Sequence, residues 1–237
     1  MSPIFLAAHP KKFPNPRLAD DEGLIAFGAD LSVDTLLLAY KSGIFPWYNE
    51  EDLTPILWWS PNPRCVINPL HFKASRSLQK TQKSGQYYIT VDQCFEQVIR
   101  ACAAPRTYAD STWINDAIIK SYSQLHRMGI AHSIETWTAD HQLVGGLYGL
   151  NLGRLFFGES MFSMATDASK VAFAFLMRRC AGWQFPLVDC QLPNNHLLSL
   201  GAYTIPRDDF LTMLAQEQQQ SSPNWQAWQG QAHPCLI

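Results

Sequence analysis

One short apolar segment carries two polar side chains whose types and spacing could do chemistry. The segment is Leu187-Val188-Asp189-Cys190-Gln191, and its apolar character predicts a buried strand. Asp189 and Gln191 are two residues apart, so in a regular strand both project from one face. A carboxylate and an amide placed side by side can hold a polar substrate through hydrogen bonds. The alternative is that Asp189 only caps a turn near Pro193-Asn194.

A second candidate acid, Glu159, stands at the end of the aromatic strand segment Leu155-Phe156-Phe157-Gly158. An unpaired buried carboxylate is costly, so we expect Glu159 to meet a cation. Lys170 and Arg154 are the candidates within the chain.

A stripe of cations follows the first aromatic-rich part of the chain. Arg76, Lys80 and Lys83 fall at i, i+4 and i+7 of a helix predicted over residues 73–83, and so share one face. No acidic residue occurs between Asp52 and Asp92, so the segment is locally positive. The stripe is either a phosphate-binding surface or a solvated helix face. The positive region comprises Arg64, Lys73, Arg76, Lys80 and Lys83.

Composition limits the class of protein. The chain has 237 residues, of which 47% are hydrophobic, and a net charge of −2, which argues against nucleic-acid binding through charge alone. No apolar run reaches the length of a membrane span, and no signal peptide is expected. The six cysteines form no C-x-x-C pair and are expected to be reduced, buried thiols. The spacing of His132, His141 and His196 does not predict a metal site.

The elements that must position these residues differ between the two parts of the chain. Residues 1–63 are rich in Pro, Trp and Gly, with one helix between the N-cap Ser32 and Gly43. The aromatic segments at 44–48 and 57–61 are predicted to form the wall of a groove. Later, Gly145-Gly146 suggests a bulge or a close backbone approach, and Asp167 or Ser169 is expected to cap a long helix. Further helices are predicted at 95–101, 114–128, 168–179, 194–202 and 207–216, strands at 131–137, 143–150, 154–162 and 186–191, and a loose tail after residue 216.

The order of meander, long helix, strand and short helix resembles the fold of the Gcn5-related N-acetyltransferases. We therefore predict an α+β protein with a small N-terminal domain, residues 1–63, and an acyltransferase-like mixed-sheet domain, residues 64–237. In that fold the acyl donor lies where two strands splay apart. Here these are the strands that carry Glu159 and Asp189.

Six motifs in a fixed order make the resemblance more specific, and they are rich in Trp and Gly. Together they closely resemble the bacterial leucyl/phenylalanyl-tRNA–protein transferases, and the match runs from about Phe13 to Phe210. The motifs are Gly43-Ile44-Phe45-Pro46-Trp47, Leu57-Trp58-Trp59-Ser60-Pro61 with Pro63-Arg64, Gly145-Gly146 with Tyr148-Gly149, Gly158-Glu159-Ser160-Met161-Phe162-Ser163, Ala168-Ser169-Lys170 and Asp189-Cys190-Gln191.

This resemblance implies an activity and its partners. The activity is transfer of Leu or Phe, and less readily Met, from aminoacyl-tRNA to the N-terminal amine of proteins that begin with Arg or Lys. The acceptor would thereby be marked for degradation by the N-end rule pathway. No metal or organic cofactor is implied, and we expect a cytoplasmic monomer that does not bind a membrane.

The resemblance also gives the candidate residues roles. Asp189 would accept hydrogen bonds from the attacking amine, and Gln191 would align the acceptor backbone or the carbonyl under attack. Glu159 would bind the acceptor's N-terminal Arg or Lys side chain. Five apolar residues from adjacent strands could line the donor side-chain pocket, although core packing is the alternative for each. They are Leu147, Phe156, Phe157, Met161 and Leu187.

The tRNA would be held by aromatic and basic residues. Its terminal adenosine could stack on Trp47 or Trp113, with Tyr40 or Tyr122 nearby, and Arg76, Lys80 and Lys83 would contact phosphates. Two other readings compete. An acetyltransferase using acetyl-coenzyme A would need a Gly/Arg-rich turn where this chain has residues 164–168. An RNA- or peptide-binding module on an inactive scaffold would not require Asp189 and Gln191.

Overall fold

The computed structural model describes residues 2–49, 55–104 and 112–235. Four strands near the N-terminus form a small mixed sheet with the order β1-β2-β4-β3, beside helix α1 (Val33–Lys41). β1 runs parallel to β2, and the other pairs are antiparallel. The strands are β1 (Ile4–Leu6), β2 (Leu24–Gly28), β3 (Phe45–Pro46) and β4 (Leu57–Trp59).

A second sheet of eight strands has the order β11-β5-β10-β9-β8-β7-β6-β12. Its strands are β5 (Arg64–Ile67), β6 (Tyr87–Val91), β7 (Ala131–Thr138), β8 (Leu143–Leu152), β9 (Leu155–Ser163), β10 (Leu187–Gln191), β11 (Tyr203–Ile205) and β12 (His233–Pro234). The helices are α2 (Arg76–Lys83), α3 (Phe95–Ala103), α4 (Asp116–Arg127), α5 (Ala168–Gly182), α6 (Asn195–Ser199) and α7 (Arg207–Glu217).

The predicted meander is confirmed, since β7, β8 and β9 are consecutive antiparallel neighbours. After α5 the chain returns as β10, which lies parallel to β9 and antiparallel to β5. The larger sheet is therefore mixed, and the α+β class is confirmed. One continuous core joins Trp58 of the small sheet to Phe157 of the large one, so the packing does not mark a domain boundary. The boundary at residue 63 stays a prediction.

Two apolar cores lie on opposite faces of the large sheet. One contains α1, α3, α4 and α7 with the small sheet. The other is built around α5, which is buried along most of its length and receives Leu78 of α2. Successive side chains of a strand enter alternate cores, because a strand projects them to opposite faces.

Local chemistry explains the ends of α1. The Ser32 hydroxyl accepts from the Thr35 N–H, as an N-cap does. Gly43 follows the helix with φ +75, a conformation that glycine adopts without steric cost. A Cβ at Gly43 would also lie 2.5 Å from a Leu211 methyl group. Both ends are where the sequence predicts them.

The start of α5 differs from the prediction. Asp167 precedes the helix with φ 62 but makes no side-chain capping bond. Its carboxylate instead accepts from Lys170 Nζ at 3.0 Å and Thr81 Oγ1 at 3.1 Å. The predicted close approach at Gly145 is confirmed, because a Cβ there would lie 2.6 Å from the Ala168 Cβ. The first turn of α5 thus rests on β8.

The prediction of a loose tail is wrong. Trp225 is 4% exposed and stacks on His132 with ring centroids 4.1 Å apart. The Trp228 ring lies 4.0 Å from the Arg179 guanidinium carbon, and β12 pairs with the edge of β6. The Gln/Ser-rich composition predicts disorder, but these aromatic anchors bury enough surface to order the segment.

The predicted state of the cysteines is consistent with the structure, in which all six are free and five are buried. Within residues 2–49, 55–104 and 112–235, no helix is both long enough and apolar enough to cross a membrane.

Candidate active site

The strands β9 and β10 stop pairing partway along their length, and we call the place where they part the cleft. Their pairing runs from Leu187–Leu155 to Asp189–Phe157 and then ends. Residues before this point are buried, whereas Gly158, Glu159 and Gln191 just beyond it are half-buried. The predicted splay between the strands of Glu159 and Asp189 is therefore present.

Both strands are irregular at the cleft. β8 pairs Tyr148 with Ser160 and Gly149 with Gly158, so Glu159 is the extra residue of a β-bulge. The register of β10 against β5 shifts between Asp189 and Gln191, and Gln191 has φ 56. The regular alternation expected for Asp189 and Gln191 is thus interrupted. A bulge redirects a side chain, and here two bulges aim Glu159 and Gln191 at each other.

Three donors from three elements converge on Glu159. Tyr40 Oη donates to Oε1 at 2.7 Å, Gln191 Nε2 donates to the same oxygen at 3.2 Å, and Tyr122 Oη donates to Oε2 at 3.4 Å. Burial raises the pKa of Glu159 to about 8, with a further rise from Asp189, while the tyrosine hydroxyls and Arg64 act in the opposite direction. Without a bound cation, Glu159 is mostly neutral at pH 7.

The internal cations predicted for Glu159 are engaged elsewhere. Lys170 Nζ lies 3.0 Å from Asp167 Oδ1, and Arg154 Nε lies 2.8 Å from Glu217 Oε2. Among the described residues, no cation forms an ion pair with Glu159. Both internal alternatives are therefore wrong.

Asp189 is fully buried and already paired. Arg64 Nε donates to Oδ1 at 2.8 Å and Arg64 Nη2 donates to Oδ2 at 2.6 Å. The Gln191 N–H also donates to Oδ1, at 3.1 Å. The Asp189 carboxylate thus faces Arg64 and the backbone N–H of Gln191. The backbone contact agrees in part with the alternative that Asp189 caps a turn. A direct contact between Asp189 and an incoming amine is not available in this arrangement.

Arg64 is the site residue that the sequence interpretation misses. We assign it from the sequence to a positive surface, yet its side chain is 1% exposed. One signal points to burial: Arg64 directly precedes the apolar strand segment Cys65-Val66-Ile67. A charge at the start of such a strand must find an acid.

The five predicted pocket residues do not surround one space. Phe157 and Leu187 belong to the core that contains α1, whereas Leu147, Phe156 and Met161 lie in or against the core around α5. Adjacent residues such as Phe156 and Phe157 must face opposite sides of a sheet. A single pocket lined by all five is therefore wrong. Met161 alone among them is half-buried at the cleft.

Of the four aromatic residues predicted to contact adenosine, two retain access. Trp47 is 43% exposed, and Trp113 is partly buried against the first core. The two segments are joined because Asn115 Nδ2 donates to Tyr48 Oη at 2.9 Å. Tyr40 and Tyr122 are fully buried and hydrogen-bonded to each other and to Glu159. Neither can offer a ring face to a base, so that part of the prediction is wrong.

The predicted basic helix is α2, capped by Ser75. Arg76, Lys80 and Lys83 are exposed, whereas Leu78 and Gln82 face the protein. Within the described parts of the chain, no acid pairs with these three cations. Two surface concavities of about 350 and 250 Å³ lie away from the cleft, and neither contains Glu159 or Gln191.

Comparisons with known proteins cover most of the chain. The family model described as "Leucyl/phenylalanyl-tRNA protein transferase" matches residues 66–215, and the model of that family's N-terminal domain matches residues 29–62. The leucyl/phenylalanyl-tRNA–protein transferase of Cellvibrio japonicus is 55% identical over 89% of each chain. The protein of the same name from Stutzerimonas stutzeri is 52% identical over 89% of this chain and 92% of its own.

A solved structure of L-PGS from Bacillus licheniformis has 9% identity and a TM-score of 0.39, over 72% of this chain and 53% of that chain. This similarity is too weak to bear on fold or function. The sequence relatives are decisive, since the two family models match both parts of the chain and the two relatives each cover 89% of it. The chain belongs to the leucyl/phenylalanyl-tRNA–protein transferase family and is an aminoacyltransferase.

Proposed function

We propose that this aminoacyltransferase moves Leu or Phe, and less readily Met, from aminoacyl-tRNA to the α-amine of proteins that begin with Arg or Lys. The product would be marked for degradation by the N-end rule pathway, and the enzyme would act in the cytoplasm as a monomer. The observation that carries the acceptor specificity is Glu159: a half-buried carboxyl at the cleft, with a pKa raised to about 8.

The environment of Glu159 suits a cationic acceptor side chain. Hydroxyl and amide donors hold the carboxyl in place, and none of these three donors carries a positive charge. A guanidinium or ammonium group about 4 Å away would gain on the order of 4 kcal/mol at an effective dielectric near 20, before desolvation costs. That attraction favours ionised Glu159, so acceptor binding would release a proton.

Gln191 is placed to act on the attacking amine. Its Nε2 donates to Glu159 Oε1, which leaves its Oε1 as an acceptor for an amine hydrogen. The proposed reaction needs no strong base, because a free α-amine with a pKa of about 7.7–8.0 is partly neutral at cytosolic pH. The amine nitrogen attacks the ester carbonyl, the peptide C–N bond forms, the ester C–O bond breaks, and the ribose hydroxyl regains the proton that the amine loses.

Asp189 acts in this proposal through Gln191 and not on the amine. Its Oδ1 accepts the Gln191 N–H, which holds the residue in its left-handed backbone conformation. Most of the rate acceleration would come from holding an activated ester beside the amine. Met161, at the cleft and flexible, is the best candidate to contact the donor side chain.

The tRNA would be bound by Trp47, Trp113 and α2. Stacking of the terminal adenosine on an indole contributes about 1–3 kcal/mol, and the α2 cations would bind phosphates without reading sequence. Replacing Arg76, Lys80 and Lys83 by Gln should weaken aminoacyl-tRNA binding and flatten its dependence on salt. The control is the same change at the exposed residues Lys11, Lys12 and Lys120. Equal salt slopes for the two triple variants would remove the tRNA role of α2.

The deciding experiment supplies labelled Leu-tRNA and a peptide that begins with Arg, without acetyl-coenzyme A. We expect labelled Leu at the N-terminus of the peptide, and much less on a matched peptide that begins with Ala. A modified peptide that forms only when acetyl-coenzyme A is added would instead indicate an acetyltransferase. Binding of tRNA and peptide without any product would indicate an inactive module.

A further inference from the structure

The Arg64 guanidinium is held on every side. It forms the two bonds to Asp189 and also donates from Nη1 to the Gly43 carbonyl at 3.2 Å. The Phe45 and Phe210 rings lie 4.9 and 4.5 Å from its central carbon. These contacts come from the turn after α1, from β3, from β10 and from α7. Arg64 therefore joins the small sheet, the large sheet and the last helix at one point.

Two of the contacts lead to the same oxygen atom. Gly43 follows the last turn of α1, from which Tyr40 donates to Glu159 Oε1. Asp189 holds the Gln191 N–H, and the Gln191 side chain donates to the same Oε1. Arg64 thus bridges the two elements whose side chains meet on one atom of Glu159.

The geometry of the bridge requires an arginine. A guanidinium is a planar fork that can grip a carboxylate with two bonds and still donate to a third acceptor, whereas an ammonium is a single point charge. A buried ion pair adds little net stability over an apolar pair of similar volume. An apolar pair could not hold Gly43 and Asp189 at a fixed spacing, whereas the Arg64 guanidinium does so through hydrogen bonds.

We propose that Arg64 is a positioning residue that sets the spacing of Tyr40 and Gln191 around Glu159, and through it the affinity for the acceptor. This inference rests on the proposed function, because it assigns Glu159 to acceptor binding.

The charges around Glu159 supply an independent signature. The groups that face it are Tyr40 from α1, Tyr122 from α4, Asp189 and Gln191 from β10, and Arg64 from β5. The Asp189 charge raises the pKa of Glu159, while Arg64 and the two tyrosine hydrogen bonds lower it. Replacing Arg64 by Lys keeps the charge but loses the fork. Loss of the Tyr40 and Gln191 hydrogen bonds should then raise the pKa of Glu159.

The first test compares Arg64→Lys with Arg207→Lys. Arg207 is also buried, and its side chain donates to the carbonyls of Ser60 and Arg17, with no hydrogen bond to Glu159 or Gln191. We expect Arg64→Lys to raise KM for the Arg-starting peptide at least tenfold and to leave KM for aminoacyl-tRNA within twofold. Arg207→Lys should change neither KM. Equal effects of the two variants on peptide KM would overturn the proposal.

The second test separates positioning from folding. In the double variant Arg64→Met/Asp189→Leu the buried charges are replaced by apolar groups, so the unfolding midpoint in urea should be close to that of the wild type. We still expect peptide kcat/KM to fall at least tenfold, because nothing holds Gln191. Recovery of kcat/KM together with stability would show that the pair is only structural.

A third readout does not depend on activity. Carbon-13 NMR of labelled Glu carboxyls should show Glu159 titrating near pH 8 in the wild type, as its pKa predicts, and higher in Arg64→Lys, with Glu159→Gln identifying the signal. An unchanged Glu159 titration in Arg64→Lys would contradict the positioning role. If the wild type transfers nothing to the Arg-starting peptide, the proposed function fails while this titration still decides the role of Arg64.

Discussion

Glu159 and Glu135 are two glutamates of the same sheet whose surroundings differ. Both have a raised pKa, and burial is the main cause in each case. Glu135 is fully buried and accepts from the hydroxyls of Ser133 and Thr90 at 2.5 Å each. Thr90 is its direct cross-strand partner in a regular ladder. Glu159 sits on a bulge, half-buried, and takes its donors from α1, α4 and β10.

The difference separates a structural acid from the acid that we propose to bind the acceptor. Glu135 is satisfied by its immediate neighbours and is closed to any ligand. Glu159 is held by residues distant in sequence, beside a cleft, with no cation among its described partners. A raised carboxyl pKa by itself would not distinguish the two. Accessibility and the origin of the donors do.

The largest expected effect is a loss of kcat when Gln191, beside Glu159, is replaced. Gln191→Ala should lower kcat about 10²–10³-fold, the usual cost of removing one hydrogen-bonding group that acts in the transition state. The free energy of unfolding should change by less than about 1 kcal/mol, because Gln191 is half-buried. Single-turnover transfer to an Arg-starting peptide and urea unfolding measure the two. Gln142→Ala, at an exposed turn position, is the control, and equal rates for both variants would refute the role of Gln191.

The next effect concerns acceptor choice. Glu159→Gln keeps the shape but cannot ionise, so KM for an Arg-starting peptide should rise about 10–100-fold, the equivalent of one charged hydrogen bond. The ratio of kcat/KM for a peptide that begins with Arg to that for a peptide that begins with norleucine should fall as well. The matched change Glu135→Gln should leave both unchanged. A changed acceptor preference in Glu135→Gln would contradict the assignment of acceptor binding to Glu159 alone.

A third prediction concerns Glu135, whose removal should affect stability and not acceptor binding. Glu135→Ala leaves the buried Ser133 and Thr90 hydroxyls without their acceptor, which should cost about 1–3 kcal/mol of unfolding free energy. Peptide KM should stay within twofold of the wild type. Urea unfolding with peptide kinetics on the same preparation checks both quantities. A large rise in peptide KM without lost stability would contradict the structural assignment.

The smallest effect is a dependence of stability on pH. The folded pKa of Glu159, about 8, exceeds its ordinary value of 4.5, so the folded state binds this proton more tightly than the unfolded state. The resulting stabilisation is complete below pH 4.5 and is lost as the pH rises to 8. Glu159→Gln does not titrate, so it should gain on the wild type by about 1.4 kcal/mol between pH 7 and pH 9, since wild-type stability falls by about 1.4 kcal/mol per pH unit below the folded pKa. Thermal unfolding at both pH values measures this, and a relative stability of Glu159→Gln that is higher at pH 7 than at pH 9 would contradict the predicted sign.

Much of the fold follows from local patterns in the sequence. Ser32 and Gly43 mark the ends of α1, Gly129 ends α4, and alternating apolar residues give the meander. These features depend on neighbours within a few residues, which the sequence displays directly. The C-terminal segment is the exception, because its Gln/Ser-rich composition hides the indole that packs on His132.

The site is less predictable because its contacts are distant. The sequence draws attention to Asp189, Gln191 and Glu159, but the Arg64–Asp189 bonds join residues 125 positions apart. Tyr40 and Glu159 are separated by 119 positions. No periodicity encodes such a pairing, so the sequence predicts Tyr40 near the tRNA adenosine, whereas the structure buries it against Glu159.

The sequence by itself determined most of the helices, the meander, the strand β10 and the polar side chains Asp189, Gln191 and Glu159, whereas the strands of the small sheet and the outer strands of the large sheet were not predicted. Only the tertiary structure decided the state of each acid. Asp189 is paired with the Arg64 guanidinium, whereas Glu159, two strands from Arg64 in the order of the sheet, has hydroxyl and amide donors and a pKa of about 8. The reason is that protonation depends on burial and on nearby charge, and both are supplied by residues that only folding brings together.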